Sequence, residues 1–177
     1  MHPHLEEITS YLARVRADLG AVIDRTPPAA FDRNPATGGW SGTGIINHLG
    51  KVEGSTSKLL EGLFAKALAD GVGPDPGTQS WMHALDHLRV TDRTFRIMAP
   101  DRVAPDPTAG FAASWASLQA VRPRLLRAVA SVDGRDLTTV SAPHPILGPL
   151  NGYEWVLLIG QHEERHLSQL RETLSAE

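Results

Sequence analysis

Leu5, Ile8, Leu12, Val15, Leu19 and Val22 recur at steps of three or four, the spacing of one helix face. They predict a helix from about Pro3 to Asp24, ended by Pro27-Pro28. TPPAAFDRNPATGGW reads as a loop. Ser41 is placed to cap a second helix from about Gly42 to Asp70, with Ile45, Leu49, Val52, Leu59, Leu60 and Leu63 on one side. DGVGPDPGT breaks it. Trp81, Leu85, Leu88 and Phe95 predict a third helix over about Ser80 to Met98, stopped by Pro100. Thr108 is the expected cap of a fourth, whose face is Phe111, Trp115, Leu118, Leu125 and Val129. This helix should end near Ser131 and kink at Pro123. DGRDLTTVSAPHPILGPL is a long connector with room for a short extended piece. Asn151, with Glu154 three residues on, resembles a capping box and opens a last helix from about Gly152 to Leu174.

No segment shows convincing strand alternation. The expectation is an all-α chain: one domain over residues 1–177, a four-helix bundle core with one additional short helix and a long connector before the last.

Composition narrows the function classes. With 177 residues, 41% hydrophobic and 21% charged, the chain suits one core. A net charge of −3 gives no basic footprint for nucleic acid. No run approaches the roughly 20 apolar residues of a membrane span. MHPHLEE lacks a signal peptide's pattern, so a cytoplasmic protein is expected. There is no cysteine, which excludes disulfides, thiolate ligands and a cysteine nucleophile.

The candidate chemistry lies in histidine. On the last helix Trp155, Val156, Leu158, Ile159, Leu167, Leu170 and Leu174 define a broad apolar arc. His162 and His166 fall inside it, one turn apart, and Glu163 does too. His48 flanks the stripe of Ile45, Leu49 and Val52. Three inward imidazoles from two helices are a metal constellation, since bundle cores build sites from facing helices. Singly, each would more often be a hydrogen-bonded core residue. His83 and His87 share the same spacing but lie off their predicted face. His2 and His4 sit at a terminus expected to fray, and His144 is a connector residue read first as surface or packing.

HEERH also satisfies the zinc-protease pattern H-E-x-x-H. Those enzymes take a third ligand well downstream, whereas only LSQLRETLSAE follows His166, and Glu172 is on the same helix. The third ligand must come from upstream, where His48 is the natural candidate.

GGWSGTGIINHL resembles the tryptophan-serine helix start and first histidine of the DinB/YfiT-like superfamily of metal-binding four-helix bundles. HPILGPLNGYEWVLLIGQHEERHLSQL is similar to that family's closing segment, with its Gly-Pro loop, Glu-Trp helix start, H-x3-H and trailing Gln. The resemblance covers nearly the whole chain and carries the ligand roles onto His48, His162 and His166. Thr43-Gly44 stands where many relatives have an acidic residue before the first histidine. The resemblance implies a divalent transition metal, zinc or nickel foremost, with iron or copper next. It also implies a homodimer. Some relatives are S-transferases or isomerases using a low-molecular-weight thiol such as bacillithiol or mycothiol. The expected function is therefore a metal-dependent enzyme, a low-molecular-weight-thiol S-transferase or a hydrolase of a small substrate. Water in the thiol's place would make a hydrolase, with Glu163 as catalytic base. Glu163 could equally serve as partner to Arg165, Arg122 or another bundle charge, or to a ligand histidine. The alternative from another class is a non-catalytic, stress-associated metal-binding protein.

Overall fold

Four helices carry the structure, a computed structural model that describes residues 1–35, 38–94 and 98–175. They are α1 (Pro3–Asp24), α2 (Gly42–Ala69), α3 (Phe111–Ser131) and α4 (Gly152–Ser175). Short 3-10 turns lie at Pro28–Ala30, Asp86–Leu88 and Asp101–Val103, and an antiparallel hairpin pairs β1 (Ser141–His144) with β2 (Gly148–Asn151).

Two predicted starts are formed as expected. Ser41 Oγ accepts from the Gly44 amide, freeing α2 of one unpaired donor. Asn151 and Glu154 make the reciprocal box: each side chain accepts the other's amide N–H, at 2.8 and 3.0 Å. Thr108 does not cap α3. Its hydroxyl and amide both donate to Asp106, so the helix starts after Gly110 with no side-chain cap.

The core divides into two clusters. One gathers Leu5, Ile8, Leu12 and Val15 with Leu60, Phe64, Leu125, Val129 and Val156. The other gathers Leu19 and Ile23 with Ile45, Ile46, Leu49, Leu118, Leu167 and Leu170. The order in which each helix visits them fixes its direction. α1 and α4 run from the first cluster to the second, and α2 and α3 run back. Parallel α2 and α3 require a crossover returning along the bundle, since α2's 28 residues span about 42 Å at 1.5 Å each. At Gly160 α1 approaches α4 so closely that a Cβ would stand 2.5 Å from Tyr11 Cε1.

That crossover corrects the third predicted helix. Residues 81–94 are turns around the single 3-10 turn, and Arg89 takes a left-handed conformation at φ 50°. Leu85 and Val90 are buried, but as loop residues pressed on the bundle. Glu7 of α1 accepts from Ser80 and Trp81, and Arg165 of α4 donates to the carbonyls of Val90 and Asp92. Tertiary contacts took these apolar residues without helical backbone bonding. Phe95, counted on that predicted face, lies outside the described residues, as does Glu177.

The terminus expected to fray is also corrected. His2 is the N-cap residue of α1, with its amide on Asp133 Oδ1 at 2.6 Å, and His4 is buried. The connector's extended piece proves to be the β1–β2 hairpin. Two prolines in eight strand residues hid any alternation.

Candidate metal centre

His48, His162 and His166 are brought together near the second core cluster, each offering one ring nitrogen within 4.8 Å of the others'. Their ring centroids are 4.5–5.1 Å apart. α2 contributes His48 less than two turns from its Ser41 cap, and α4 contributes the other two from successive turns of one face.

Hydrogen bonds set which nitrogen each ring presents. His48 Nδ1 lies 2.7 Å from the Val103 carbonyl. A carbonyl only accepts, so this nitrogen carries the proton and Nε2 keeps its lone pair. His166 Nδ1 donates in the same way to Gln169 Oε1 at 2.8 Å. His48 Nε2 and His162 Nε2 then face each other at 3.2 Å. Two nitrogens 2.0–2.1 Å from one tetrahedral ion would be about 3.3 Å apart. The residues present therefore fit a divalent ion.

Electrostatics keep the rings neutral. Burial lowers the His48 pKa, with Lys51 adding to the effect against the Val103 bond. Burial lowers His162 far below its ordinary value, reinforced by His166 and His48. Burial takes His166 to about 3, with His48, Arg165 and Arg93 pushing the same way. Neutral imidazole is the form that ligates metal. Trp40 walls one side, its ring 4.7 Å from His48 and stacked 6.0 Å from His166. His48 and His166 are buried, while His162 is partly exposed and marks the opening.

Glu163 faces another assembly. Its Oε1 accepts Arg16 Nε at 2.5 Å and its Oε2 accepts from Arg122, while Glu53 receives Arg122 Nε at 2.6 Å and Arg16 Nη2 at 2.7 Å. Each of the four helices contributes one member of this buried tetrad. Along every helix its position falls between the two core clusters. Arg122 was a partner expected from sequence. Arg16 and Glu53 were missed, although both interrupt apolar helix faces, which is a readable signal. Val103 was missed too, and a backbone carbonyl has no side-chain signature.

His83 and His87 are exposed, with His83 on Asp86. His144 ends β1 beside Trp155, at 5.2 Å between rings, and its Nδ1 accepts the turn amides of Ile146 and Leu147. It is not among the three converging histidines. Among the described residues, no helix is long and apolar enough to cross a membrane.

Three comparisons bear on this arrangement. The sequence profile of the DinB superfamily matches residues 11–170. The uncharacterised protein YuaE of Bacillus subtilis (strain 168) is 30% identical over 145 residues, covering 80% of this chain and 82% of YuaE. The crystal structure of TT2238, a four-helix bundle protein, aligns with a TM-score of 0.64 at 22% identity, covering 95% of this chain and 98% of that one. At that identity the last likeness establishes the fold alone.

Proposed function

This chain belongs to the DinB superfamily, and from that premise we propose a metal-dependent enzyme in which His48, His162 and His166 hold a divalent transition ion. The carrying observation is the convergence of three neutral imidazoles, two of them locked with Nε2 unprotonated by Val103 and Gln169. An all-imidazole set suits zinc or nickel first, and iron or copper next. When bound, such an ion supplies Lewis acidity that lowers the pKa of a thiol or water reaching an open coordination position.

The chain's own residues suit a thiol cosubstrate. With no cysteine in 177 residues, the sulfur must arrive as a small cosubstrate. Lys51, Arg93 and Arg165 place positive charge around the histidines, which favours an anionic thiolate over its protonated form. Trp40 excludes water from one side. The reaction class proposed is S-transfer from a low-molecular-weight thiol to a small electrophile, with hydrolysis as the version in which water takes its place. Glu163 is assigned to the tetrad, because both its oxygens are held by arginines. A homodimer in the cytoplasm belongs to the same proposal, and sedimentation velocity tests the dimer.

The decisive experiment loads untagged protein with zinc or nickel, removes excess ion, and measures bound metal and thiol turnover across electrophile and ester panels. His162→Ala and His166→Ala should each lose one equivalent of metal together with turnover. Unchanged metal content in both variants would overturn the reading. Metal that raises Tm without turnover in any panel would instead favour the non-catalytic alternative.

A further inference from the structure

We propose that His2, His4 and Asp75 form a second site for a divalent transition ion of the zinc class, at the other end of the bundle. It would fasten the start of α1 to the chain that leaves α2. Tyr153, which contacts this cluster, precedes His162 by nine residues on α4, or about 13 Å along the axis. The two sites are therefore separate.

Local structure puts the three side chains together. His2 occupies the N-cap position of α1 and His4 follows Pro3 in the first turn, so both rings lie at the helix's amino end. Asp75 sits on a short segment pinned to the turn after α3: its amide donates to the Gly134 carbonyl, and the Asp136 amide to that of Gly73, both at 2.9 Å. The Asp75 carboxylate is then oriented. Oδ1 accepts the Gly77 amide at 2.9 Å, while Oδ2 accepts the Tyr153 hydroxyl and faces His4 Nδ1 at 2.7 Å. Gly77 must be glycine for this approach, since a Cβ there would stand 2.8 Å from His4 Cε1.

The cluster is not satisfied by its own hydrogen bonds. His2 Nδ1 stands 3.2 Å from Asp75 Oδ2, yet makes no hydrogen bond and is buried. His4 is 4% exposed, and its Nε2 also has no partner. Two imidazoles compete for an oxygen that already takes a tyrosine hydroxyl. An ion held through His2 Nδ1, His4 Nδ1 and Asp75 Oδ2 would give the orphaned His2 nitrogen a partner and end the competition for that oxygen, with the proton of His4 placed on Nε2. The spacings of 2.7 and 3.2 Å lie near the roughly 2.9–3.4 Å expected between ligands 2.0–2.1 Å from one ion. Two imidazoles and a carboxylate are a zinc-type donor set. Tyr153 and Gly77 would act as the outer partners that hold the carboxylate. The partly exposed His2 leaves a path for entry.

The test uses cobalt(II), read by equilibrium dialysis and visible absorption, on a His48→Ala/His166→Ala double variant that lacks the first cluster. One equivalent should still bind, and His2→Gln added to it should weaken binding at least tenfold. Zinc should raise Tm in the double variant and not after His2→Gln. His2→Gln leaves the Asp75, His4 and Tyr153 bonds in place, so folding is preserved. If the double variant misfolds, the parent chain serves: two equivalents should fall to one on His2→Gln. No binding to the folded double variant, or binding indifferent to His2→Gln, overturns the proposal; so does a parent that takes up one equivalent and keeps it in His2→Gln.

Discussion

His162 and Glu163 are neighbours on α4, yet they belong to opposite kinds of buried polar cluster. The tetrad of Arg16, Glu53, Arg122 and Glu163 is closed. It balances two charges of each sign, and all four carboxylate oxygens accept a guanidinium N–H. Burial opposes the charge on Arg122, but the bonds and field of Glu53 and Glu163 outweigh it and raise its pKa. The histidine cluster is open. Its rings spend Nδ1 on Val103 and Gln169 and turn other nitrogens toward one another, with no acid among the three. A satisfied buried network specifies how helices pack. Lone pairs left converging mark where something from outside is expected.

The contrast is broken hardest at Glu163. Glu163→Ala leaves Arg16 and Arg122 to share Glu53 alone, and removing one partner from a buried ion pair costs about 3–5 kcal/mol. Urea denaturation of the metal-free protein at pH 7 measures this; a loss below about 1 kcal/mol would mean the tetrad is well solvated.

Gln169→Ala tests the open cluster through the residue that orients His166. Loss of such an outer partner should weaken metal binding about 10–100-fold, with little change in metal-free stability. Chelator competition reads the first quantity, and an unchanged affinity would mean that His166 needs no orienting bond.

Acid should act on the open cluster through its histidines. The His166 pKa is about 3 in the folded protein against an ordinary 6.5, so between these values the unfolded chain holds a proton that the folded one refuses. Unfolding then takes up protons, and stability falls as pH drops from about 6.5 toward 3. His48 and His162 are shifted in the same direction. Metal-free His166→Gln should lose stability less steeply than the parent between pH 6.5 and 4. Identical slopes in urea titrations would show that the ring is already solvated.

The smallest effect belongs to the exposed control. His83→Ala should change stability by no more than about 0.5 kcal/mol and leave bound metal unaltered, although His83 and His87 repeat the spacing of His162 and His166. A drop in metal content would place a site on the crossover.

Much of this was legible because it is local. The ends of α1, α2 and α4 follow from periodicity, Ser41, and the Asn151–Glu154 box, all interactions within a few residues. The inward direction of the three histidines follows from helix geometry once those ends are fixed. The crossover misled because Trp81, Leu85 and Leu88 have helical spacing, but their burial was decided by docking on α1 and α4. The terminal histidines misled because nothing near them in sequence indicates Asp75.

The sequence by itself determined the four bundle helices, alongside a fifth that the crossover did not form, and the three imidazoles that can meet between two of them, because helix formation and side-chain direction depend on neighbours three and four residues away. Tertiary structure alone decided that α2 and α3 run parallel, that Val103 sets the tautomer of His48, that Glu163 turns to arginines, and that Asp75 meets His2 and His4. Each of those depends on partners dozens of residues apart, 55 for His48 with Val103 and 147 for Arg16 with Glu163. Such partners are brought together only when the apolar faces pack, and a reading of local pattern has no term for that.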